Sequence, residues 1–130
     1  MHQLDGRAAR GSVAAAISDT VVRLMSEYTG RGPTRSKTVM NRDVITVLLQ
    51  DTMTKGERRL AEAGKSDIVL RMRQEFQRTM QDDLVSAVEV ITERKVIAFM
   101  SDNHIDPDMA VEIFVLEPPA EAVPDTDPPA

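Results

Sequence analysis

The chain is 130 residues long, enough for one domain with a single two-layer core. Its apolar fraction is 42% and its aromatic fraction 3%, so the core must be aliphatic and filled by methionine. The absence of Cys excludes a disulfide framework, a thiolate metal site and a Cys nucleophile.

No run approaches the roughly 20 apolar residues of a membrane span. The opening Met1-His2-Gln3-Leu4-Asp5 lacks the basic-then-apolar order of a signal peptide, which points to a cytoplasmic protein. Residues 1–11 read as a flexible N-terminus, with Ala8–Arg10 as a backward extension of the first helix. That helix follows over about 12–28. Val13, Ile17, Val21, Leu24, Met25 and Tyr28 fall on one face at 3.6-residue spacing, with Ser12 as N-cap and Gly30 as the stop.

Gly30-Arg31-Gly32-Pro33-Thr34-Arg35-Ser36-Lys37 is a loop. Pro33 drives Gly32 out of helical geometry, and both glycines accept positive φ. Arg31, Arg35, Lys37 and Arg42 follow with no acid among them, the chain's one sizeable patch of single sign. From Thr38 to Gln50 the β-branched content rises into a first strand. Ile45, Val47 and Leu49 share one side, and Val44 and Leu48 the other. Asn41-Arg42-Asp43 is either a polar outer end of this strand or a turn inside it.

Thr54 with Glu57 three residues on is a capping-box pattern that opens a short helix ending near Gly64. Ser66 or Asp67 caps a longer helix, to about Thr92. Ile68, Met72, Phe76, Met80 with Leu84, Val88 and Ile91 form its inner stripe, and Arg73, Gln77, Gln81 and Asp82 fall mostly opposite. Two strands close the body, Lys95–Ser101 and Met109–Glu117. The turn formers between them, Asp102 to Asp108, predict an antiparallel hairpin. The fold class is therefore α+β: a small antiparallel sheet of about three strands, two main helices on one face, order α-β-α-α-β-β. Residues 12–117 form the single domain.

The chain carries 16 Lys+Arg against 21 Asp+Glu, but four of the acids and five prolines sit in the last fourteen residues. Without them the body is nearly neutral, 16 against 17. Residues 118–130 read as a disordered, acidic, Pro-rich tail.

Three constellations bear on function. The basic Gly-rich loop offers Gly30, Arg31, Gly32, Arg35 and Lys37 to a small anion or nucleotide. The competing reading is a helix stop whose cations offset the α-helix dipole, since phosphate loops precede a helix N-terminus rather than follow a C-terminus. Asp102, His104, Asp106 and Asp108 alternate like metal ligands, yet an EF-hand would need Gly and Glu where Pro107 and Ile113 stand. A hairpin corner is the preferred reading, and no metal or cofactor is expected. Nucleic-acid binding finds little support in a near-neutral body with few aromatics. No nucleophile and base can be paired, so no catalytic residue is assigned.

The strands themselves carry the third constellation. They lack the polar alternation of a sheet wetted on one side. If Val111, Ile113 and Val115 face the helices, then Val44, Leu48, Ala98, Met100, Ala110, Phe114 and Leu116 face away. An apolar face of that size predicts a cover, either a short helix or another subunit, and the second is the preferred reading. Val44, Leu48, Met100, Phe114 and Leu116 are the expected interface of a homodimer joined by its sheet face or edge strand.

Gly30-Arg31-Gly32-Pro33 after an amphipathic helix, the Thr54-Lys55-Gly56-Glu57-Arg58-Arg59-Leu60 turn, the Arg71-x-Arg73 helix and the closing Asp106-to-Glu117 strand together resemble the MpsC family. The resemblance spans about residues 10–117. It implies a small soluble accessory part of a bacterial sodium-translocating, membrane-potential-generating system, facing a membrane-protein partner on its cytoplasmic side. It also implies a Gly between the long helix and the next strand, where Thr92-Glu93-Arg94-Lys95 stands. It implies no enzymatic activity.

Overall fold

Helical stripes and strand alternation resolve, in a computed structural model that describes residues 6–119, into α1 (Gly6–Thr29), β1 (Arg35–Asn41), β2 (Val44–Gln50), α2 (Lys55–Glu62), α3 (Ser66–Thr92), β3 (Val96–His104) and β4 (Met109–Leu116). The sheet is antiparallel throughout, in the order β1-β2-β4-β3. The α+β class and the helix layer on one face stand as expected. The expected three strands become four, and the order becomes α-β-β-α-α-β-β.

The extra strand arises at Asn41-Arg42-Asp43. Asn41 pairs with Val44, so the chain reverses through two residues, with Arg42 at a left-handed φ of 57°. Of the two readings of that segment, the internal turn is the observed one. Glu93, at φ 57°, plays the corresponding part after α3 in place of the glycine the family pattern implies.

The inner stripe of α1 is as the spacing predicts. Ile17, Val21, Leu24 and Met25 are buried, and Val13 and Tyr28 pack beside them. The helix begins well before Ser12, at Gly6, and stops at Gly30. There φ is 80° and the N–H donates to the Ser26 carbonyl at 2.9 Å. α2 opens with the complete capping box: Glu57 N–H donates to Thr54 Oγ1 at 3.2 Å, and Thr54 N–H to Glu57 Oε1 at 2.8 Å.

α3 departs from its expected start and stripe. Lys65, not Ser66 or Asp67, holds the N-cap position, with no side-chain cap. The helix buries Val69, Arg73, Gln77, Met80, Leu84 and Val88, while Ile68 is exposed. The first three turns are thus rotated by about one residue, and two polar side chains point inward. The C-terminal turns, built on Met80, Leu84 and Val88, match the sequence stripe.

The core lies between α1, α3 and the inner sheet face, where Ile45, Val47 and Leu49 meet Ala110, Phe114 and Leu116. Phe99 tilts against Phe114 with ring centroids 5.1 Å apart. α2 sits beside α3. Residues 1–5, including His2, and the tail from residue 120 lie outside the described residues.

Candidate functional site

Strand register fixes which side chains share the outer face, because residues opposite one another point the same way and alternate along each strand. Four rows cross the sheet from β1 to β3: Asn41, Val44, Val115 and Ala98; Val39, Thr46, Ile113 and Met100; Lys37, Leu48, Val111 and Asp102; Arg35, Gln50, Met109 and His104. Among the described residues no helix covers this face. Val39 is 49% exposed, Val44 40% and Met100 51%, and Ile97 at the β3 irregularity is 55% exposed.

Among the five expected interface residues, Val44, Leu48 and Met100 stand on this face. Phe114 and Leu116 do not. Both are fully buried in the core, and Ala110 with them. The parity of β4 is the reverse of the one expected: Val111, Ile113 and Val115 point outward and supply the middle of the apolar surface. The face is greasy as foreseen, but through the other half of the strand.

The basic loop is divided between two elements. Gly30 ends α1, and Gly32 lies so close to that helix that a Cβ would stand 3.4 Å from Ser26 Cβ. Thr29 Oγ1 accepts from Arg31 N–H at 3.3 Å, and the Arg31 side chain is partly buried with its Nε unpartnered. Arg35 and Lys37 belong to β1 and stand exposed on the outer face. Two glycines therefore serve the helix, and two cations serve the sheet.

Asp102 to Asp108 form the end of β3 and the β3–β4 turn. Asp108 is a clamp rather than a lone turn residue. Its Oδ1 accepts from Thr52 Oγ1 at 2.8 Å, its Oδ2 accepts from Met53 N–H at 2.9 Å, and Arg58 lies 3.6 Å away. His104 Nδ1 is 2.8 Å from the Pro107 carbonyl oxygen. Among the described residues no group of three His, Asp or Glu is placed to hold a metal.

A buried ionic cluster is the feature the sequence does not announce. Arg73 Nη2 donates to Glu57 Oε1 at 3.2 Å and Nη1 to Asn103 Oδ1 at 3.3 Å, with Arg73 and Glu57 6% and 4% exposed. Glu57 thus serves the α2 capping box and the ion pair at once. Glu112, directly across from Ser101 in the sheet, is fully buried, and neither carboxylate oxygen has a hydrogen-bond partner. Burial pushes its pKa up to about 7, and the neighbouring Ser101 hydroxyl and the Arg73 charge offset part of the rise. The cavity beside Glu57 and Arg73 measures about 10 Å³, room for no more than about one water. Glu57, Arg73 and Glu112 are all buried.

A family model described as "Na+-translocating membrane potential-generating system (MpsC)" matches residues 9–118. No curated protein and no solved structure matches the chain. Among the described residues no helix is long and apolar enough to cross a membrane.

Proposed function

The chain belongs to the MpsC family, and from that premise we propose that it is a non-enzymatic accessory subunit of a membrane cation-translocating system, cytoplasmic and homodimeric through its outer sheet face. The observation that carries the reading is that face. Four strands by four rows of alternating residues make a footprint of roughly 500 Å² per copy, or about 1,000 Å² for a pair. That is the lower bound of a specific interface, and its centre is aliphatic. Left wet, such a surface is an aggregation liability, because β1 and β3 are also open edges.

Polar chemistry supports a binding role over a catalytic one. Glu57 and Arg73, which join α2 to α3, and the buried Glu112 are all enclosed. The partner of the dimer is an integral membrane subunit, engaged from its cytoplasmic side.

Affinity recovery of the tagged full chain from its native cells tests this reading. An integral membrane subunit of a sodium-translocating system is the expected companion. Recovery of the chain with no membrane subunit, under detergent conditions that keep such a system assembled, contradicts it.

A further inference from the structure

The outer face is self-complementary in only one of its two simple stackings. Lys37 on β1 and Asp102 on β3 occupy opposite ends of one row, with Leu48 and Val111 between them. Arg35 stands next to Lys37 on the same face, so one edge is marked by cations and the other by an anion. Asp102 Oδ1 also accepts its neighbour's Asn103 N–H at 2.8 Å, which holds the carboxylate in place at that edge.

A two-fold axis running across the strands lays β1 on β1 of the other copy. It sets Lys37 against Val39 and Asp102 against Met100, so four rim charges face apolar side chains with nothing to pair them. An axis along the strands lays β1 over β3 and keeps each row on itself. Lys37 then covers Asp102 at both edges, and Leu48 covers Val111 twice in the middle. The twist of aligned sheets, about 30°, moves the corners by only a few ångströms, within the reach of a Lys side chain.

We propose that the homodimer stacks its sheets about the axis parallel to the strands, with reciprocal Lys37–Asp102 pairs fixing the register. This rests on the sheet-face dimer proposed above and specifies its geometry. Charge pairs at such a rim set orientation and exclude the alternative more than they add affinity.

Sedimentation of the full chain with charge-reversed variants is the test. Lys37→Glu and Asp102→Lys each create two like-charge contacts, and each should weaken the dimer roughly tenfold or more. The double variant Lys37→Glu with Asp102→Lys restores opposite charges and should return near the wild-type constant. A wild-type dimer indifferent to the single changes, or a double variant as weak as either single, overturns this axis while leaving the sheet-face dimer standing. A monomeric wild-type chain overturns both.

Discussion

Arg73→Ala is expected to cost about 3–5 kcal/mol of folding stability, measured by urea denaturation of the full chain. The substitution removes the cation paired with Glu57 at 3.2 Å between α2 and α3, and leaves that carboxylate buried at 4% exposure. It also removes the charge that lowers the pKa of Glu112. Two carboxylates without a counter-charge in a closed interior are far costlier than the pair itself is favourable. The loss should grow as pH rises through about 7, where Glu112 gives up its proton. A loss below about 1 kcal/mol would show that α2 is held by other contacts.

Glu112→Gln should change the pH profile of stability as strongly. The folded state lifts the Glu112 pKa from the ordinary 4.5 to about 7, so between those values the folded chain binds a proton that the unfolded chain has released. Stability is therefore full below the unfolded pKa and declines as pH rises toward 7, by about 3 kcal/mol in all, or on the order of 10 °C in Tm. The flanking groups are Ser101 from β3 and Arg73 from α3. Glutamine keeps the shape and carries no charge, so the variant should equal the wild type near pH 5 and exceed it near pH 8. Parallel melting profiles across that range would refute the buried carboxyl.

One cluster accounts for most of what the sequence concealed. In Met109–Leu116 apolar residues occupy both parities, and the single acid, Glu112, marks the parity of Phe114 and Leu116 as the wet one. In α3 the polar Arg73 and Gln77 likewise mark the inner face as the outer. Both signs are reversed because Arg73 and Glu112 are brought into the same interior, where charge neighbours charge across three elements. No spacing rule displays a tertiary ion cluster. Only its α2 corner was legible, as the Thr54–Glu57 capping box.

The missing strand has a separate cause. A two-residue hairpin turn is usually signalled by Gly or Asn at positive φ, and here Arg42 takes that conformation. Where packing followed simple periodicity the reading succeeded, as in the Ile17–Val21–Leu24 stripe and the Ile45–Val47–Leu49 side of β2. The conclusion that the sheet is apolar on both sides survived its reversed parity. It required only that β4 carry apolar residues at odd and even positions alike.

Equilibrium sedimentation of the wild-type full chain beside Ile113→Asp puts the central claim to its most direct trial. Ile113 lies in the middle of the uncovered sheet surface, on the opposite side from the core. The account predicts twice the single-chain mass for the wild type, and a folded particle of single-chain mass for the variant. A wild type that stays at single-chain mass at every concentration, or a dimer untouched by an aspartate at position 113, would contradict it.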